Sequence, residues 1–278
     1  MSEQIVSGTR ARVLVVGGGV MGGTLVTALL AAGWSARDVE VVETDADRAE
    51  NVRRTHGVAT SAAAGPAAAR ADVVLVAVKP DVVGDVLAQV APVLRGGAPV
   101  ISVAAGVPLA FYEQRLPVAT PVVRVMPNTP AVIGKGAAAI AAGSSAAEAH
   151  LALTETILAS TGLVVRVAEK HLDAVTAISG SGPAYAFYLV DAMAEAGVLL
   201  GLPRDLATKL AAATVEGAGA MVVAGEHPTM ARERVSSPGG TTMVAVAELD
   251  AHGVRAGIVA AAKAAAARSA ELGRQSQH

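Results

Sequence analysis

Short apolar, β-branched runs alternate with alanine-rich amphipathic segments along roughly the first 167 residues. A continuously apolar run bounded by turn residues is the mark of a strand covered on both faces. Apolar positions three and four apart mark a helix with one buried face. On this pattern strands are expected at residues 12–16, 39–42, 73–77, 100–103 and 122–125, with helices at about 20–32 and 47–56. Two further strands, at residues 137–141 and 163–167, should extend the sheet around a helix at 146–159. This βαβ rhythm predicts an α/β fold with an N-terminal, Rossmann-type, doubly wound parallel sheet.

Beyond Glu169 the rhythm changes. No β-branched run bounded by turns recurs, and helical segments follow one another, broken at Gly180-Ser181-Gly182, Gly201-Leu202-Pro203, His227-Pro228 and Pro238-Gly239-Gly240. A boundary near Val167 therefore divides the chain into a dinucleotide-binding domain, 1–167, and an all-helical substrate-binding and dimerisation domain, 168–278.

Composition narrows the chemistry. Alanine and glycine dominate a chain of 278 residues that is only 2% aromatic, which suits close helix approach over ring packing. The net charge is −2 and no basic run occurs, so nucleic acid is not expected as a partner. The absence of cysteine removes thiol nucleophiles, zinc–thiolate sites and disulfides, and no metal centre is expected. The first ten residues are polar, without the apolar core of a signal peptide. The uncharged stretch at residues 174–190 is interrupted by Gly180-Ser181-Gly182-Pro183, which a bilayer-crossing helix could not contain. No membrane partner is expected, and the reading is a soluble cytoplasmic protein.

Gly17-Gly18-Gly19-Val20-Met21-Gly22 reads G-x-G-x-x-G directly after a strand and at the start of a helix. The pattern alone is weak in a chain with 29 glycines, but its position is the one a dinucleotide fingerprint requires. Gly17 permits the tight turn, Gly19 lets a pyrophosphate approach, and Gly22 lets the helix lie close to the strand, with Val20 and Met21 between them. About twenty residues on, Glu43-Thr44-Asp45 follows the second strand, where a ribose-reading residue sits. A carboxylate there accepts ribose hydroxyls and repels a 2′-phosphate, while Arg48 could attract one; NADH and NADPH both stay open. Ala77-Val78-Lys79-Pro80 leaves the third expected strand and Asn128 the fifth, and both loops are placed to meet the cofactor.

In the helical half, Ser236-Ser237-Pro238-Gly239-Gly240-Thr241-Thr242 precedes a helix to about Asp250. Such a loop can hold a carboxylate with backbone donors and the helix dipole, and ordinary capping by serine or threonine is the competing explanation. No His/Asp/Ser set or carboxylate pair stands out. Reduction of an iminium ion needs little proton chemistry, because its nitrogen already carries the proton, so a site of glycines and hydroxyls suits it.

The segment from Asp173 through Ser179-Gly180-Ser181-Gly182-Pro183-Ala184-Tyr185 resembles the signature region of pyrroline-5-carboxylate reductases. The likeness continues through Gly197, Gly201-Leu202-Pro203 and residues 236–242 and, with the glycine fingerprint, covers essentially the whole chain. It implies reduction of L-1-pyrroline-5-carboxylate to L-proline, usually with NADPH, by a dimer or a decamer of five dimers made through the C-terminal helices. It implies further that Ser237, Gly240 and Thr241 hold the substrate carboxylate, that Thr242 bonds the ring nitrogen, and that Glu169 lines the site. Val78, Lys79 and Ala104 or Ala105 would contact the cofactor. The acidic turn at Glu43 departs from the serine- or arginine-containing turn of many relatives and puts the NADPH preference in question.

Two other functions fit the same plan. A β-hydroxyacid-type or other imine-reducing dehydrogenase is one, although the helix opened by Pro183 lacks the lysine such β-hydroxyacid enzymes carry there. A dinucleotide-sensing subunit without turnover is the other; it would keep residues 17–22 and have no need of residues 237–242.

Overall fold

The computed structural model describes residues 11–275. Its first compact unit comprises the chain through Gly180 together with the segment from Ala265 onward. Eight strands form one sheet in the order β3-β2-β1-β4-β5-β6-β7-β8. These are β1 (Val13–Val16), β2 (Val39–Val42), β3 (Ala59–Ser61), β4 (Val73–Val76), β5 (Val100–Ser102), β6 (Val122–Met126), β7 (Gly136–Ala142) and β8 (Gly162–Arg166). Between them lie α1 (Val20–Ala31), α2 (Ala46–His56), α3 (Ala64–Ala68), α4 (Val83–Val90), α5 (Leu109–Glu113) and α6 (Glu148–Leu158), with α7 (Leu172–Val175) after β8.

The central strands β1 and β4 are apolar throughout because both sheet faces are buried there. Side chains alternate across a strand, so Leu14, Val16, Val74 and Val76 join Leu87, Val90, Tyr112 and Leu172 in one core. Val13, Val15, Val73 and Leu75 join Leu25, Leu29 and Ile157 in the other. Helices on each side supply the covering residues, which is the doubly wound arrangement expected.

The register decides where a ligand can meet the sheet. Val16 pairs with Val42 of β2 and with Val76 of β4, all in parallel. The carboxyl ends of β1, β2 and β4 are therefore level, and the residues that follow (Gly17, Glu43 and Ala77) start from one line.

One expectation is corrected. The sheet is parallel only from β3 to β6; β7 runs antiparallel to β6, and β8 runs parallel to β7. The β6–β7 connection, residues 127–135, is shorter than the dozen or so residues a parallel crossover takes. It holds one turn of 3₁₀ helix, Thr129–Ile133, closed by Gly134 in the left-handed region, so the chain has to fold back. The three-residue edge strand β3 was not anticipated; Ala59-Thr60-Ser61 has no apolar run to announce it.

The sheet ends at Arg166. The compact unit continues past it, because α7 and a π-helical turn, Thr176–Gly180, still pack against the sheet.

The second unit, residues 181–264, is helical. It contains α8 (Gly182–Leu199), α9 (Arg204–Val223), α10 (Pro228–Arg234), α11 (Thr241–Ala251) and the first half of α12 (Val254–Gln275). Pro183 lies in the first turn of α8, where a missing N–H costs nothing. α8 and α9 meet through small residues: a Cβ on Gly197 would come within 2.8 Å of the Ala207 Cβ. Only alanines are buried within these two helices, Ala194, Ala207 and Ala211. Large apolar side chains point outward instead, among them Phe187, Tyr188, Leu200, Leu210 and Val223. α9 is long and apolar enough, by length and composition alone, to cross a membrane.

Candidate active site

The glycine turn is built as its sequence requires. Gly17 has φ +105°, where a side chain would be strained, and an added Cβ would stand 2.5 Å from the Ala77 carbonyl oxygen. Its N–H donates to the carbonyl of Val42 at 2.8 Å, tying the turn to β2. A Cβ on Gly22 would overlap the Gly17 carbonyl, so α1 can approach β1 this closely only with glycine there. Gly19 is the N-cap of α1 and differs from both: a Cβ on it would meet no atom within 4 Å. The space in front of Gly19 is open, and the unpaired N–H groups of α1 face it. That is the form of a cradle for a pyrophosphate. Val20 is largely exposed and Met21 half-buried at the same helix start.

A cleft of about 410 Å³ opens beside this turn, lined by Gly17, Gly19, Glu43, Thr44, Arg48 and Lys79, with Ala77, Val78 and Gln89 among the remaining residues. Glu43 is the organising group. Its Oε2 accepts from the Gly18 N–H at 3.0 Å, and its Oε1 accepts from the Asp45 N–H at 2.9 Å and from Arg48 Nη2 at 3.1 Å. Its side chain is only 7% exposed. Burial opposes its charge, but the hydrogen bonds from Arg48, Asp45 and Gly18 together outweigh that and hold the carboxyl below its ordinary range. Thr44 is exposed at the rim, and Asp45 caps α2 by accepting from the Arg48 N–H.

The other loops from the sheet are held by side chains with no visible role in the sequence. Ser102, at the end of β5, shares a buried 2.6 Å hydrogen bond with the Tyr112 hydroxyl and accepts from the Ala104 N–H. Ala104 is thereby buried, and Ala105 beyond it is exposed. Burial pushes the Tyr112 hydroxyl up to about 12, so it stays protonated. Lys79 ends the β4 loop and Pro80 opens a 3₁₀ turn. Asn128 spans two elements: its amide donates to the Ser179 carbonyl at 3.0 Å, and its Oδ1 accepts from the Ala137 N–H at 2.8 Å. Glu169 accepts from the Leu109 N–H at 2.7 Å and from Arg124 at 3.0 Å through the same oxygen, Oε1. Asn128 and Glu169 thus serve as clips within the first unit, and Arg124, Ser102 and Tyr112 are partners the sequence alone did not single out.

The hydroxyl loop lies in the second unit. Gly239 takes φ +70°, and the Gly240 N–H donates to the Ser237 carbonyl at 2.9 Å. A Cβ on Gly240 would stand 2.5 Å from Ser237 Oγ, which can turn aside, and 3.1 Å from the Ser237 carbonyl oxygen, so the bend is tight. Gly240 is the N-cap of α11, and no side chain caps that helix. The competing explanation, capping by serine or threonine, is therefore absent. Ser236 Oγ donates backward to the Arg232 carbonyl, while Ser237 and Thr241 are exposed and Thr242 is half-buried in the first turn of α11.

Residues 169–272 match the family described as pyrroline-5-carboxylate reductase dimerisation. Residues 12–106 match that described as NADP oxidoreductase, coenzyme F420-dependent. The pyrroline-5-carboxylate reductase of Corynebacterium melassecola is 41% identical over 266 residues, covering 94% of this chain and 98% of the relative. That of Mycobacterium tuberculosis is 40% identical, covering 94% and 97%. Among solved structures, the pyrroline-5-carboxylate reductase of Coxiella burnetii superposes with a TM-score of 0.89 at 34% identity over 94% of this chain and 98% of its own. The Plasmodium falciparum pyrroline carboxylate reductase with NADP bound gives 0.84 at 27% identity, covering 95% and 98%.

Proposed function

Because the chain belongs to the pyrroline-5-carboxylate reductase family, we propose that it reduces L-1-pyrroline-5-carboxylate to L-proline, the last step of proline synthesis, with NADPH or NADH as the reductant. The observation that carries this reading is the open cradle at Gly19, above level strand ends and beside the cleft of Glu43 and Lys79. A nicotinamide dinucleotide, when bound, supplies the hydride. Everything else is the work of the chain's own residues.

The cradle of Gly17, Gly19 and Gly22 holds the pyrophosphate, with Val20 and Met21 at its edge. The turn of Glu43, Thr44 and Asp45 faces the adenosine ribose. Ala77, Val78, Lys79 and Pro80 on one loop, Ala104 and Ala105 on a second, and the Asn128 backbone on a third carry the remainder of the cofactor. The uncapped first turn of α11 offers N–H groups to the substrate carboxylate, joined by the hydroxyls of Ser237 and Thr241 and by the Gly240 backbone. Thr242 holds the ring nitrogen by a hydrogen bond. The nitrogen arrives protonated, so these residues orient the ring and exclude water and need donate no proton. Glu169 supports the site from its position between Arg124 and Leu109.

The outward apolar residues of α8 and α9 support a homodimer through the helical unit, with five dimers forming a decamer. Buried against a second copy, α9 has no need of a membrane, which supports a cytoplasmic protein. Loss of NAD(P)H absorbance on addition of pyrroline-5-carboxylate tests the reaction. Protein that binds cofactor but gives no substrate-dependent loss would point to the sensing subunit instead. Sedimentation showing an active monomer would overturn the assembly.

A further inference from the structure

The Glu43 carboxylate is not a free ribose reader. About four lone-pair positions are available to a carboxylate, and three are engaged by the Gly18 N–H, the Asp45 N–H and Arg48. One acceptor position is left over, enough for a single hydroxyl. A ribose 2′-hydroxyl can donate to it. A 2′-phosphate at neutral pH presents mainly oxygen acceptors and carries a charge of about −1.5 to −2.

The surrounding charge reinforces this. Among the described residues Arg48 is the one cation at the β2–α2 turn, and it is already shared between Glu43 at 3.1 Å and Asp45 at 3.5 Å. Two carboxylates against one guanidinium leave the turn with net negative charge. Lys79 lines the cleft from the β4 side, accompanied there by Asp85, so that side adds no net positive charge.

We propose that Glu43 is both the positioning residue of the glycine turn and the residue that sets cofactor choice, so that this chain binds NADH in preference to NADPH. The inference rests on the cleft being a nicotinamide dinucleotide site, and it deepens that reading by assigning its discrimination to one fixed side chain. Because one oxygen of Glu43 orders Gly18 while the other orders Asp45 and Arg48, cofactor choice and the shape of the pyrophosphate cradle are coupled. Changing the residue alters both.

The test is a fluorescence titration of the full chain with NADH and with NADPH, without substrate. The wild type should bind NADH about tenfold or more tighter. Glu43→Gln removes the charge and places an NH₂ group against existing donors, so NADH binding should weaken while the NADPH/NADH ratio of dissociation constants falls by about tenfold. Asp45→Asn removes charge at the same turn but keeps the helix cap; its ratio should fall too, by less than that of Glu43→Gln. Tighter binding of NADPH by the wild type, or a ratio unmoved in Glu43→Gln, would overturn the proposal. If Glu43→Gln binds neither nucleotide, Asp45→Asn decides, and an unmoved ratio there has the same force. Tight, selective NADH binding without turnover of pyrroline-5-carboxylate leaves the inference standing and removes the substrate assignment instead.

Discussion

Arg124 and Glu169 are 45 residues apart in the chain, yet Nη1 of one lies 3.0 Å from Oε1 of the other. The guanidinium is 9% exposed, at the heart of β6. Its partner oxygen also takes the N–H that opens α5. Glu169→Ala strands both donors, and leaving a buried charge and an N–H unpaired should cost about 2 kcal/mol. A melting temperature lower by roughly 5 °C is expected, with NADH affinity unchanged. An unaltered melting temperature would show that the pair contributes nothing to the fold.

Two glycines of the fingerprint should fail in different ways. A Cβ on Gly22 overlaps the Gly17 carbonyl, so Gly22→Ala should destabilise the first unit by about 2 kcal/mol or more. A Cβ on Gly19 meets nothing, so Gly19→Ala should melt normally while cofactor affinity drops by about tenfold or more, the methyl occupying ligand space. Thermal melts and NADH titrations on both variants check this. Normal cofactor binding by Gly19→Ala would empty the cradle of its assigned role.

The Glu43 carboxyl is held below its ordinary value of 4.5 in the folded chain. A depressed folded value contributes stability that is fully present above the unfolded value and is lost as the pH falls through the folded one. The stability difference between wild type and Glu43→Gln should therefore be level above about pH 5 and shrink below about 4.5. Urea melts from pH 7 to pH 3 would reveal it. A difference that grows on acidification contradicts the sign.

Thr242→Val keeps β-branching and approximate volume while deleting the hydroxyl. α11 has no side-chain cap to lose, so the melting temperature should hardly move. If the hydroxyl bonds the ring nitrogen, kcat/KM should fall about tenfold, the loss of one hydrogen bond of roughly 1–2 kcal/mol. Cofactor affinity should stay constant. An unchanged kcat/KM would take Thr242 out of the site.

What the sequence disclosed was local. The run before Gly17 announced β1 because both sheet faces are apolar, and the glycine spacing announced the turn because Gly17 and Gly22 each answer a contact within a few residues or on an adjacent strand end, while Gly19 leaves open space. Strand direction was not legible: Gly136–Ala142 reads the same whichever way it runs, and only the length of the preceding connection forces the reversal. The clips were equally hidden, since Asn128 meets Ser179 51 residues away and no pattern in either segment encodes the meeting. Glu43 was legible as a residue and not as a geometry, because its three donors come from two loops and a helix.

The first unit is not a contiguous piece of chain. It leaves off at Gly180 and resumes at Ala265 within α12, whose Ser269 hydroxyl donates to Asp173 at 2.7 Å and whose Leu272 lies against Gly106. In chain order the helical unit is therefore an insertion, with segments of the first unit before and after it. A truncation after residue 180 would strip that domain of its last helix. A minimal cofactor-binding fragment would instead excise residues 181–264 and splice a flexible tether from Gly180 to Ala265, retaining the terminal segment as part of the fold it completes.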